Sequence, residues 1–229
     1  SNLARSRKNI KYTRELIGDN MWGLVQDGSI TKIINKPKGM VIGDTRHSRK
    51  IFELWSKAEL EAIGIYEVEF DNTNKKDEQW YINTNQSFAF AGGKITASYG
   101  SSTAKAHADT LWTQADSDNG DLPDDKSVGD VKTRGLKYNL IKNLKSQVAN
   151  ELARTDWYIT RNTEKSTAIP SAITTHRDLV RTRQATMETQ ITNASDTPAL
   201  ETLYTYVNTG TEENPVMERP LGELPTLES

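Results

Sequence analysis

The chain has 229 residues, 35% hydrophobic and 26% charged, with a formal net charge of -2 and no cysteine. That charge gives no long-range attraction to nucleic acid or an anionic membrane, and neither is expected as a partner. The missing cysteines exclude disulfides, thiolate nucleophiles and thiolate zinc sites, and no apolar run approaches the roughly 20 residues that would insert in a bilayer.

Modest cores joined by solvated segments are expected from a mean hydropathy of -0.69. Cores of that size are marginal alone, which favours assembly, including a homo-oligomer. Residues 1–20 set Arg5, Arg7, Lys8, Lys11 and Arg14 among few apolar side chains. A flexible basic arm without the apolar stretch of a signal peptide is expected there. Either it tethers an anion, or it precedes a natural start at Met21; the second reading is the simpler.

MWGLVQDGSITKII predicts a hairpin turning at Asp27-Gly28, and KGMVIG a third short strand. SKAELEAIG predicts a compact helix with Ser56 and Glu59 as its capping box and Gly64 as its stop. IYEVEF alternates, which puts Tyr66, Val68 and Phe70 inward and Glu67 and Glu69 in water. QWYINT, SFAFA and KITASY read as further strands, the last two joined by Gly92-Gly93. Residues 21–99 are therefore expected to form a β-rich module with one short helix. Residues 100–130 lose the pattern and read as a polar, acidic linker, with Trp112 placed to pin it to a neighbour.

Helical spacing returns at Leu136, Leu140, Ile141, Leu144, Val148 and Leu152. A second helix is expected from Pro170, where Ile173, Val180 and Met187 recur seven apart and Ile191 extends the seam. A third is expected after Thr197-Pro198. The helical region spans 131–207, and Pro215, Pro220 and Pro225 make 208–229 an extended tail whose Leu221, Leu224 and Leu227 could dock on something. The expected fold class is α+β, a small antiparallel β-rich N-terminal module followed by a helical hairpin or small helical region.

No catalytic motif emerges. His47, His107 and His176 lie in no nucleophile or base motif, so solvated histidines are expected. In the acidic run from Asp116, the fifth, sixth and twelfth positions are Gly120, Asp121 and Ser127, against the needs of a calcium loop. Around AGGK, Phe88 and Ile95 stand where a phosphate loop needs Gly and Ser or Thr. Glu67 and Glu69 read as a solvated edge. No cofactor is implied. Arg177 and Arg181 lie one turn apart with Arg183 beyond. They are either solvated charges pairing with Asp178 and Glu188, or a grip on a partner's carboxylate or phosphate.

LARTDWYITR, with Leu152, Thr155, Asp156 and Trp157, is followed by a helix carrying Arg177, Val180 and Arg181. The pair resembles the tail assembly chaperones and tail-fibre assembly proteins of tailed bacteriophages. Ile173 and His176 stand where that family has Trp and Tyr. MWGLVQDGSITKIINKPKGMVIGD and the strand segments after it are similar to the opening of virion structural proteins from marine cyanobacterial phages.

The resemblance implies a non-enzymatic protein that binds phage tail-fibre or tail proteins, located in the virion tail or in the host cytoplasm during assembly. Arg177, Arg181, His176, Trp157 and Tyr158 are the partner-binding candidates it supplies. Thr155-Asp156 should end the first helix and Trp157 should plug the junction, a burial contributing about 2–3 kcal/mol. The alternative, from another class, is a carbohydrate-binding module or hydrolase for host glycans, with Trp80, Tyr81, Phe88 and Phe90 stacking on sugars.

Overall fold

The computed structural model describes residues 21–227, so the basic arm at 1–20 lies outside the described residues. The fold is α+β with the helices mostly in the C-terminal half. The described residues divide into two compact units, one holding 21–75 and 83–102, the other 76–82 and 103–227.

In the first unit, β1 (Trp22–Gln26) and β2 (Ser29–Ile34) form the expected hairpin. Asp27 and Gly28 turn it with φ of 50° and 75°. β3 (Met40–Ile42) pairs with β4 (Thr45–His47), and α1 (Ile51–Leu54) precedes α2 (Lys57–Ala62). Both bonds of the Ser56–Glu59 capping box are present: the Glu59 N–H donates to Ser56 Oγ and the Ser56 N–H donates to the Glu59 carboxylate. β5 (Ile65–Asp71) then enters the sheet, while β6 (Tyr81–Ile82) belongs to the second unit. β7 (Ser87–Ala91) and β8 (Lys94–Ser98) complete the order β2-β1-β5-β8-β7.

The sheet is mixed, not wholly antiparallel, because β5 and β8 run parallel. The chain leaves the sheet after β5 and returns through β7, so β8 fills the place beside β5 in the same direction. Trp22, Leu24, Ile34 and Ile65 face Ile51 and Leu60 of the helices, and Val25, Val68, Ile95 and Ala97 form a second cluster. Phe70 departs from the inward alternation expected for β5 and is 45% exposed, since the second cluster stops short of the strand's end.

The second unit holds the expected linker, and that segment is built into it. β9 (Thr103–Ala104) pairs with β6, and β10 (Thr110–Leu111) pairs with β11 (Val131–Thr133) around α3 (Gln114–Asp118). Asp116 accepts from Thr113 and from Lys132 Nζ at 2.6 Å, and the ammonium lies 4.4 Å from the Trp112 ring centre. Asp116 is thus engaged by a cap and an ion pair, and Asp118 by a bond from the Gln114 amide. α4 (Leu136–Ala153), α5 (Asp156–Lys165), α6 (Ser171–Asn193) and α7 (Thr197–Tyr204) follow, then a short hairpin of β12 (Val207–Asn208) and β13 (Met217–Glu218).

The core joins Leu140, Leu144 and Val148 of α4 to Val180, Met187 and Ile191 of α6, with Leu200 and Leu221. Trp80 and Tyr81, expected in the β-rich module, lie in this core. The Trp80 ring packs on Tyr204 at 5.5 Å, and Tyr81 donates its hydroxyl to Glu201 at 2.8 Å. A pair of rings that large needs a deep layer, and the helices supply it. Among the described residues no helix is long and apolar enough to cross a membrane.

Candidate functional site

α4 ends at Ala153, and an α-helix end leaves carbonyls without partners. Here the Leu152 carbonyl accepts from the Thr155 N–H at 3.0 Å, from Thr155 Oγ1 at 3.0 Å and from Arg177 Nη1 at 2.8 Å. The same guanidinium nitrogen reaches Thr155 Oγ1 at 2.7 Å and Asp156 Oδ1 at 2.8 Å, at the start of α5. Arg177 therefore ties the end of one helix to the beginning of the next from a third. Both Thr155 and Arg177 are buried. Nη1 makes all three contacts, while Nε of the same guanidinium is buried without a partner.

Next to it, His176 Nε2 lies 2.9 Å from the Glu151 carboxylate, which also accepts from Arg154 and from the backbone N–H of Leu227. Desolvation works to raise the Glu151 pKa, but the bonds from Arg154, the Leu227 N–H and His176 outweigh it and leave the pKa lowered. Seven residues on from His176, Arg183 donates to the Leu221 and Glu223 carbonyls; seven further, Gln190 donates to the Pro220 carbonyl. The tail thus runs antiparallel along α6, held by one polar side chain at every second turn.

The candidate residues divide between two roles. His176 and Arg177, expected on a solvated or partner-facing surface, are internal ties, and His176 is not a solvated histidine. The two expected binding arginines do not share an open face: Arg181 is exposed and pairs with Asp178 at 3.4 Å, whereas Arg177 is turned inward. Trp157 does not plug the junction either. It is 50% exposed, because Thr155 and the Arg177 guanidinium fill that space and satisfy polar groups an indole could not.

Trp157 stacks on Tyr158 with ring centres 3.8 Å apart, and the Arg161 guanidinium lies 5.7 Å from the indole. Ile159 on the same helix is 40% exposed, and α5 buries none of its side chains. A groove of about 520 Å³ on α4 is lined by Tyr138, Ile141, Lys142, Lys145, Ser146 and Ala149.

Sequence reasoning missed Glu151 as a binding node for the tail. It also missed Arg177 as a core tie, although a signal existed. Arg177 lies four residues after Ile173 and three before Val180, on the apolar seam itself. Of the aromatic residues proposed to stack on sugars, Trp80 and Tyr81 are buried, and Phe88 and Phe90 pack on the second cluster of the sheet. Comparison with known protein families, with curated proteins and with solved structures finds no match.

Proposed function

We propose that the chain is a non-enzymatic bacteriophage protein, a tail-fibre-associated virion component or a chaperone of tail-fibre assembly, acting by protein–protein binding through α5. The resemblance of the Thr155-Asp156-Trp157 segment and of the N-terminal strands to phage proteins supports the context. The observation that carries the binding reading is a ten-residue helix with no buried side chain that displays Trp157 and Ile159. An isolated helix of that length is marginal in water. This one is held at its start by Arg177, so a rigid aromatic surface is presented at little entropic cost. Large aromatics of this kind are the residues that anchor protein interfaces.

In this reading Arg177 and His176 position the surface, and Trp157, Tyr158 and Ile159 make the contact. Arg181, exposed beyond the junction, is available to the rim. The test is co-expression with the fibre or tail protein encoded beside this one, followed by pull-down with wild type and with a Trp157→Ala, Ile159→Ala double variant. The expected result is loss of the partner by a variant whose thermal midpoint is unchanged. Equal recovery by the folded variant would remove α5 as the binding surface.

A further inference from the structure

All five strands of the sheet in the first unit bring a terminus to one rim. β2 and β5 finish there, as does β8, while β1 and β7 begin there. The residues just beyond those termini line a groove of about 450 Å³. Asn35 follows β2, Asn72 follows β5, Tyr99 follows β8 and Gln86 precedes β7, with Phe70 two residues before Asn72 and Lys75 closing the turn.

The groove is held in shape by its own loop. The Thr73 N–H donates to Asp71 Oδ1 at 3.0 Å and the Lys75 N–H to the Asn72 carbonyl at 3.0 Å. Asn74 Nδ2 donates to the Tyr99 carbonyl at 3.0 Å, fastening the turn to the end of β8. The Lys75 ammonium stands 5.6 Å from the Tyr99 ring centre. Among the described residues, the side-chain amides of Asn35, Asn72 and Gln86 have no hydrogen-bond partner.

Three amides, an exposed phenyl ring, a second ring, the Met21 side chain and one ammonium line the groove. Each amide both donates and accepts, as each sugar hydroxyl does, so neighbouring hydroxyls can pair with one side chain. An exposed ring such as Phe70 offers a flat apolar face to the C–H face of a pyranose. A purely apolar ligand would leave the amides unpaired, at a cost. The single ammonium favours a sugar that carries a carboxylate.

We propose that this rim is a binding site for a short stretch of uronate-containing polysaccharide, with Phe70 as the stacking platform, Asn35, Asn72 and Gln86 as hydroxyl partners and Lys75 as the carboxylate partner. The site is in the other unit from α5 and uses none of Trp80, Tyr81, Phe88 and Phe90, the first two buried and the last two packed on a core cluster.

The full chain is titrated with trigalacturonate and, separately, with maltotriose, following the side-chain amide signals of Asn35, Asn72 and Gln86 by NMR. Saturable binding of trigalacturonate is expected, with maltotriose weaker. Phe70→Ala should weaken trigalacturonate about tenfold or more, and Lys75→Gln should abolish the preference for the uronate. Gln86→Ala, at a partly exposed position away from the core clusters, is the second variant should Phe70→Ala disturb the strand. The α5 double variant should bind trigalacturonate as wild type does, so this site can fail or stand independently of the protein-binding reading. Lack of saturable trigalacturonate binding would overturn the proposal. So would preference for maltotriose, or binding that folded Phe70→Ala and Gln86→Ala leave unchanged.

Discussion

Arg177 and Arg181 share a sequence motif and a helix, yet the environment separates their energetics. Arg181 is exposed in an ion pair with an exposed Asp178, a contact worth little in water. Arg177 answers three acceptors at a buried junction, and removing it takes the charged donor from the Leu152 carbonyl and the Thr155 hydroxyl, leaving them only their bond to each other and the Thr155 N–H. Arg177→Ala is expected to destabilise the second unit by about 3 kcal/mol, and Arg181→Ala by less than about 1 kcal/mol, as read by chemical denaturation. Glu151 makes a pH prediction. Its folded pKa lies below its ordinary value of 4.5, so the stabilisation is present above that value and is lost as pH falls through the folded value. The protection factor of the Leu227 amide, its exchange rate relative to the intrinsic rate at the same pH, should therefore fall as the medium is acidified through that window. In Glu151→Gln that pH dependence should be absent.

At the scale of elements, α6 carries two parallel ladders. Ile173, Val180 and Met187 pack inward as the seven-residue spacing predicts, while His176, Arg183 and Gln190, three residues after each, hold the tail directly or through Glu151. The extended tail expected from its prolines is thus a strap on this unit. Leu221 is its anchor at 1% exposure. Gly222 allows the passage, since its φ is +70° and a Cβ there would collide with the Arg183 guanidinium. Leu221→Ala is expected to cost about 2–4 kcal/mol and to loosen residues 219–227 first. Region-resolved hydrogen exchange checks this, and equal protection of the tail in wild type and variant would contradict it.

At the scale of the molecule, the two units have separate apolar clusters, and the chain passes between them three times. Trp80 is the sharpest probe of that division, because its neighbours in sequence suggest a strand of the first unit while its ring lies in the core of the second. Trp80→Ala is expected to cost about 3–5 kcal/mol in the second unit, lowering protection across α4, α6 and α7 while β1, β2 and β5 keep theirs. A uniform loss would mean that the clusters behave as one cooperative core.

Local chemistry made much of this legible in the sequence. The Asp27-Gly28 turn, the Ser56–Glu59 box, the α4 stripe and the α6 seam each depend on spacing within a few residues, and they formed where that spacing put them. The α+β class follows from those elements together. Tertiary structure alone decided which groups met across long separations. It placed β8 parallel to β5, carried Trp80 and Tyr81 into the helical core, turned Arg177 inward and left Trp157 half exposed. The physical reason is competition for burial. Hydropathy ranks an indole above a guanidinium, but the junction between α4 and α5 gathers the Leu152 carbonyl, the Thr155 hydroxyl and the Asp156 carboxylate. An indole offers those three acceptors a single neutral N–H and a guanidinium a charged donor group, so the arginine takes the interior and the tryptophan is left at the surface.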